Sequence, residues 1–174
     1  LYKRFIFFLA LLLLVPQAAY ASEVSAESAI VMDMETHTVL YERNAYAPRP
    51  MASTTKIMTA LLACESGRLE ESFSVTEEML AQAEGSSLGL RADDQLTLYD
   101  LVVGMLLVSG NDAANVTACC LSGSIDAFAE QMNRRAADIG MKDTVFVTPS
   151  GLDSGNHHST AYDMAPVSYT HLTL

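Results

Sequence analysis

Met51-Ala52-Ser53-Thr54-Thr55-Lys56-Ile57-Met58-Thr59-Ala60 sets a serine and a lysine three residues apart at the head of an apolar-periodic stretch. Ser53 is predicted to open a helix running to about Ser66, with Ile57, Leu61 and Leu62 on one side and Gly67 as its stop. Residues i and i+3 of a helix share a face, so the Ser53 hydroxyl and the Lys56 amine point together into the cleft that this helix borders. A serine hydroxyl becomes a nucleophile when a base takes its proton, and an amine can take it only while neutral. Burial and a helix N-terminus both disfavour the ammonium form. Beyond Lys3 the chain has two lysines, Lys56 and Lys142, so an amine at this place is a scarce resource. Taken alone, the pair reads more readily as a helix-capping serine beside a solvated lysine.

Working outward, Ala29 to Met34 and Thr38 to Glu42 are rich in Val, Ile, Leu, Thr and Tyr and read as a hairpin joined around Glu35-Thr36-His37. Pro48 and Pro50 force an extended link before Ser53. After Gly67, Thr76 with Glu77 and Glu78 starts a short helix that ends near Gly85. Thr97 with Asp100 is a capping-box pattern opening an apolar helix through Val108. Ser109-Gly110-Asn111 interrupts that helix, and Asp112 to Leu121 is helical again. Ser124 caps a last helix with Ile125, Phe128, Met132 and Ile139 on one face before Gly140. From Met141 to Ala161 the chain reads as loop, with a turn at Pro149-Ser150-Gly151. A hairpin followed by a helical cluster is α/β or α+β order, lopsided because two strands alone make a marginal sheet.

The chain has 174 residues, a one-domain length, and half of them are hydrophobic. Asp and Glu number 21 against 10 Lys and Arg, a formal charge of -11. From Ser22 onward the charge is -13, which argues against nucleic acid or anionic lipid as a partner held by surface charge. Lys3 and Arg4 head an apolar run from Phe5 to Val15, Pro16 ends it, and Ala19-Tyr20-Ala21 is a small-x-small cleavage pattern. Residues 1–21 are therefore expected to be a signal peptide cut before Ser22, and the protein to be exported to the cell envelope. Eleven apolar residues are too few to cross a hydrocarbon core, which takes about 20. Cys64, Cys119 and Cys120 read as small buried hydrophobes. Cys119 and Cys120 are neighbours poorly placed to pair with each other, though Cys64 has the option of bonding to either. His157-His158 invites a metal reading, but adjacent residues seldom share one ion, and a polar loop is the expectation.

Ser109-Gly110-Asn111 sets a hydroxyl and an amide between two apolar runs, where polar groups need partners if buried. The plain reading is a helix break, with Gly110 relaxing the backbone and Asn111 capping the next helix. The functional reading is a proton-passing hydroxyl and a substrate-orienting amide. The block from Met51 to Ala60 resembles the active-site block of the low-molecular-mass penicillin-binding D-alanyl-D-alanine carboxypeptidases. So do Gly85-Ser86-Ser87, Leu98-Tyr99-Asp100-Leu101 and Leu107-Val108-Ser109-Gly110-Asn111-Asp112-Ala113-Ala114, and the likeness continues through Ser159-Thr160-Ala161-Tyr162-Asp163-Met164-Ala165. The resemblance implies a β-lactamase/transpeptidase-like fold, with Ser53 as nucleophile and Lys56 as its base. It also implies Ser109 as the second catalytic hydroxyl and Asn111 as a substrate ligand. The substrate it implies is the peptidoglycan stem peptide, whose terminal D-alanine leaves through a serine ester. It further implies trapping by β-lactams, an oxyanion hole that includes the Ser53 N–H, and no metal or organic cofactor.

Two departures qualify that resemblance. The family's third motif, Lys-Thr-Gly or a close variant on a strand, has no match, because Lys142 is followed by Asp143-Thr144. The likeness also stops after Ala165, and Pro166 falls where the family continues a helix, a place where proline costs about 3 kcal/mol. Residues 22–165 are thus expected to be a partial catalytic domain, and residues 166–174, which resemble translated read-through, a non-native tail. Any membrane association is expected through a C-terminal anchor outside this sequence. Leu1 reads as an alternative start codon. Two other readings remain: a serine β-lactamase, which usually carries Ser-Asp-Asn and a deacylating Glu, and a non-catalytic wall-binding relative on the same scaffold. Endopeptidase action on cross-links also stays open.

Overall fold

The helix behind Ser53 is buried on nearly every side, and the fold is arranged around it. In the computed structural model, which describes residues 24–152 and 154–170, a 3-10 turn at Ala52–Thr54 leads into helix α1, Thr55–Glu65. Met58, Leu61 and Leu62 join Phe128, Met132, Met141, Phe146 and Val167 in one core cluster. Ala60 and Ala63 face a second cluster with Val75, Leu98, Leu101, Met105 and Val116. A short helix can be enclosed this way only if its residues are apolar or small around the whole circumference, and the run Ile57 to Ala63 satisfies that. Ile57 itself is half-buried at the edge of the first cluster, so the expected apolar face lies one residue further round, on Met58.

Strands β1 (Ala29–Met32) and β2 (Val39–Arg43) form the expected antiparallel hairpin. Each predicted strand differs from the observed one by a residue or two. Asp33 ends β1 early because its carboxylate turns back to accept from the N–H groups of Glu35 and Thr36 and from the Thr36 hydroxyl. A second, two-stranded sheet pairs β3 (Ser72–Ser74) with β4 (Gln95–Thr97) and was not legible in the sequence. Its strands are three residues long and far apart in the chain, so no local hairpin signal marks them.

Helix α2 (Glu77–Leu80) starts at the Thr76 cap. Helix α3 (Leu98–Val108) starts with both halves of the predicted capping box, Asp100 N–H to Thr97 Oγ1 and Thr97 N–H to Asp100 Oδ2. Helix α4 (Asn111–Ser122) follows, then α5 (Ile125–Asp138), capped by Ser124 as expected. The segment from 141 to 160 is largely loop, but it is pinned by backbone bridges between Val145 and His158 and between Arg49 and Ser159. Helix α6 (Ala161–Thr170) contains Pro166 and buries Val167. The predicted leader 1–21 and residues 171–174 of the predicted tail lie outside the described residues. Among the described residues no helix is long and apolar enough to cross a membrane.

Phe128 is fully buried at the centre of the first cluster. Phe128→Ala should therefore lower stability by about 3–5 kcal/mol. The midpoint of urea unfolding measures this, and a loss under about 1 kcal/mol would show that the cluster is not closely packed.

Candidate active site

Ser53 and Lys56 are brought together as the spacing predicts. Lys56 Nζ lies 3.2 Å from Ser53 Oγ, and it donates to Asn111 Oδ1 and to the Ser150 carbonyl, each at 2.7 Å. Lys56 is 2% exposed, whereas Ser53 is open to solvent. Burial holds the Lys56 amine below the usual lysine range. Ala52, which leads into Ser53, takes a left-handed backbone at φ 46°, an unfavourable conformation for a residue with a Cβ. Such conformations persist only where surrounding contacts enforce them.

Ser109 and Asn111 reach the same point from between α3 and α4. Ser109 Oγ donates to Ser53 Oγ at 2.8 Å. Asn111 Nδ2 donates to the Glu84 carbonyl at 2.6 Å, which fixes its Oδ1 toward Lys56. The helix break is built differently from expectation. Ser109, not Gly110, is the left-handed residue (φ 57°), and Gly110, not Asn111, stands at the cap of α4 with ordinary backbone angles. Gly110 is needed for space, since a Cβ there would sit 2.9 Å from Asp112 Oδ1 and 3.1 Å from the Leu88 nitrogen.

Asp112, in the first turn of α4, fastens the loop at 84–90 against the site. Its carboxylate accepts from the Ser87 hydroxyl and from the N–H groups of Leu88, Gly89 and Leu90. Asn111 N–H adds a bond to the Ser86 carbonyl at 2.7 Å. On the opposite side, Gly151 (φ 83°) presses so closely under Ala52 that a Cβ would come 1.8 Å from the Ala52 oxygen. Its neighbours Pro149 and Ser150 present their carbonyls to Thr59 and Lys56.

The four residues singled out from the sequence thus converge, and several others appear that the sequence reading passed over. Ser150 lies in the predicted turn at Pro149-Ser150-Gly151, and its carbonyl completes the lysine's surroundings. Asp112 had a visible signal, an acid opening an apolar helix. The backbone carbonyls of Glu84 and Ser150 carry no sequence signal at all. His157 and His158 diverge: His157 is buried against Thr55, and His158 turns to the Asn156 carbonyl. The three cysteines are unpaired and half-buried, and burial pushes the Cys120 thiol up to about 11.

The mixed helix-and-strand fold that brings a buried lysine against a serine, with a serine and an asparagine from an interhelical turn, is transpeptidase-like. Solved structures agree. The chain superimposes on the D-alanyl-D-alanine carboxypeptidase DacD of Francisella tularensis with TM-score 0.80 and 35% identity, covering 87% of this chain and 38% of that one. It matches a D-alanyl-D-alanine carboxypeptidase of Mycobacterium tuberculosis with TM-score 0.81 and 34% identity, covering 86% and 56%. Residues 15–173 match the family described as D-alanyl-D-alanine carboxypeptidase, and the chain belongs to that family. It is 39% identical over 144 residues to the D-alanyl-D-alanine carboxypeptidase DacF of Bacillus subtilis, covering 80% of this chain and 37% of that protein. The chain therefore spans well under two thirds of the relatives it matches.

The Asp112 clamp makes a prediction with a definite sign. Burial alone would raise its pKa, but hydrogen bonds from the Ser87 hydroxyl and from the N–H groups of Leu88, Leu90 and Ala113 outweigh it and hold the carboxyl below its usual range. The folded value is thus below the unfolded value of about 3.9. The stabilisation is fully present above the unfolded value and is lost as pH falls through the folded one. Asp112→Asn turns one acceptor oxygen into an NH2 facing N–H donors and should cost about 2 kcal/mol or more at neutral pH. The gap between variant and wild type in urea midpoints should shrink below about pH 4, and a gap that does not change with pH would remove the carboxylate from this role.

Proposed function

We propose that the full-length protein is an exported serine D-Ala-D-Ala carboxypeptidase, acting on peptidoglycan stem peptides and acylated by β-lactams. The observation that carries this reading is the set of three partners around Lys56 Nζ, which fixes the donor count once the amine is neutral. A neutral amine has two N–H bonds and one lone pair. The Asn111 and Ser150 carbonyl oxygens can only accept, so they take both N–H bonds and leave the lone pair to face Ser53 Oγ. Ser109 donates to the same Ser53 oxygen, so the Ser53 proton is left to point at Lys56. Every hydrogen in the chain Ser109, Ser53, Lys56 then has one acceptor, in the direction that activates Ser53.

In the proposed reaction Ser53 Oγ attacks the carbonyl of the penultimate D-alanine while Lys56 Nζ takes its proton. The tetrahedral oxyanion collapses to a serine ester and the amine of the terminal D-alanine leaves, its proton supplied through the Ser109 hydroxyl. Water then hydrolyses the ester along the same path in reverse. The export reading rests on the basic head, apolar run and small-x-small pattern of residues 1–21.

Fluorescent penicillin labelling of the full-length protein tests the assignment. Ser53→Ala should abolish the adduct, and mass spectrometry should map the wild-type adduct to Ser53. Lys56→Arg should slow acylation by about 10²- to 10⁴-fold, because guanidinium stays protonated. An adduct on any other residue, or wild-type labelling by Lys56→Arg, overturns the mechanism, and rapid release of hydrolysed drug points to a β-lactamase instead.

The same chemistry sets a pH dependence. Because burial lowers the Lys56 pKa, wild-type acylation should rise with pH through an apparent value below the ordinary lysine value of about 10.4. A limb at or above that value would show an amine that is not buried in the working enzyme.

A further inference from the structure

His157 is a buried titratable group that the mechanism above does not use, and its surroundings define its chemical state. Nδ1 faces the backbone N–H groups of Val147, at 3.0 Å, and Thr148, at 3.4 Å. Backbone N–H groups can only donate, so Nδ1 is an acceptor and carries no proton. The ring is then neutral with its hydrogen on Nε2, which donates to Thr55 Oγ1 at 2.9 Å. An imidazolium would set a third N–H against the other two.

That geometry joins two segments 102 residues apart. On one side is Thr55, the residue before Lys56 and the first of α1. On the other is the segment 147–151, whose next two carbonyls serve the same helix. Pro149 O accepts from Thr59 Oγ1, and Ser150 O accepts from Lys56 Nζ, both at 2.7 Å. Gly151 then closes against the Ala52 oxygen beneath Ser53. The segment is braced internally too, with Gly151 N–H on Thr148 Oγ1 and the Phe146 ring edge-on to the imidazole. His157 is 4% exposed, and its ring accepts from the loop on one nitrogen while donating to the helix on the other.

We propose that His157, as the neutral Nε2–H tautomer, is the positioning residue that holds the Ser150 carbonyl on Lys56 and so sets the aim of the lysine amine at Ser53. The proposal rests on the carboxypeptidase reading given above. Its logic is the donor count: if Ser150 O drifts, a lysine N–H loses its acceptor, and the lone pair is free to turn away from the Ser53 proton. A glutamine at this position could still accept from Val147 and donate to Thr55, because its amide carries one group of each kind; a phenylalanine fills the space and can do neither.

The test uses the full-length protein and a penicillin concentration series that separates the dissociation constant of the encounter complex from the acylation rate constant. His157→Phe should slow acylation by about 10- to 100-fold, the scale of a misplacement of roughly 1 Å. The dissociation constant should change less than about 3-fold, because aim is lost and not binding. His157→Gln should recover most of the rate, and nitrogen-15 spectra of the wild-type imidazole should place the proton on Nε2. A proton on Nδ1 overturns the inference, as does wild-type acylation by His157→Phe or a glutamine variant as slow as the phenylalanine one with equal near-ultraviolet dichroism. Where His157→Phe fails to fold, the glutamine variant and the tautomer measurement decide. A labelled wild type with an unaffected phenylalanine variant sinks this inference alone, whereas an unlabelled wild type sinks the proposed function and this inference together.

Discussion

The burial of the Lys56 amine sets the terms for everything around it. A primary amine removed from water needs a partner for each hydrogen and for its lone pair, and left unpaired it costs several kcal/mol or unfolds the site around it. Here the partners come from Ser53, from Asn111 at the start of α4 and from the Ser150 carbonyl. No local segment can supply that set. Helix α1 must first be enclosed between the two core clusters, and α4 and the 147–151 segment must be docked on it. The arrangement around Lys56 is therefore a product of tertiary packing and of no one segment.

The backbone near the site is correspondingly tight. Ala52 and Ser109 both adopt left-handed conformations without being glycine, one next to Ser53 in the chain and the other hydrogen-bonded to its hydroxyl. Glycine is used where space is the constraint, at Gly110 against Asp112 and Leu88 and at Gly151 against Ala52. Strain of this kind is retained only when neighbouring contacts over-determine it. The close approach of Gly151 to the Ala52 oxygen is such a contact, and Asp112, three residues after Ser109, is held by the loop at 84–90.

The legibility of this arrangement in the sequence followed the range of each interaction. Periodicity and caps are local, so the β1–β2 hairpin, the Thr97 capping box and the Ser124 start were readable. The spacing of Ser53 and Lys56 was readable for the same reason, one turn of helix bringing them to one side. The β3–β4 sheet was not, because three-residue strands far apart in the chain leave no pattern. Nor were Ser150 and Glu84, which contribute carbonyl oxygens that every residue possesses. At the helix break the plain reading has Gly110 relaxing the backbone and Asn111 capping the next helix; the left-handed conformation falls on Ser109, Gly110 takes the cap position, and its missing side chain admits Leu88.

Asn111 shows how such unreadable groups govern readable ones. An amide can present either its oxygen or its nitrogen, and only the oxygen can accept from Lys56. Because Nδ2 is committed to the Glu84 carbonyl, the reversed orientation would set an NH2 against the lysine and a carbonyl against a carbonyl. The loop at 84–90 therefore decides which end of Asn111 the lysine meets, and Asp112 decides where that loop lies. Any further carbonyl that sought Nδ2 would have to compete with Glu84 for it. The aim of the amine at Ser53 is in this way set by two backbone carbonyls, one from each wall of the site, each held in place by a buried side chain that never touches the serine.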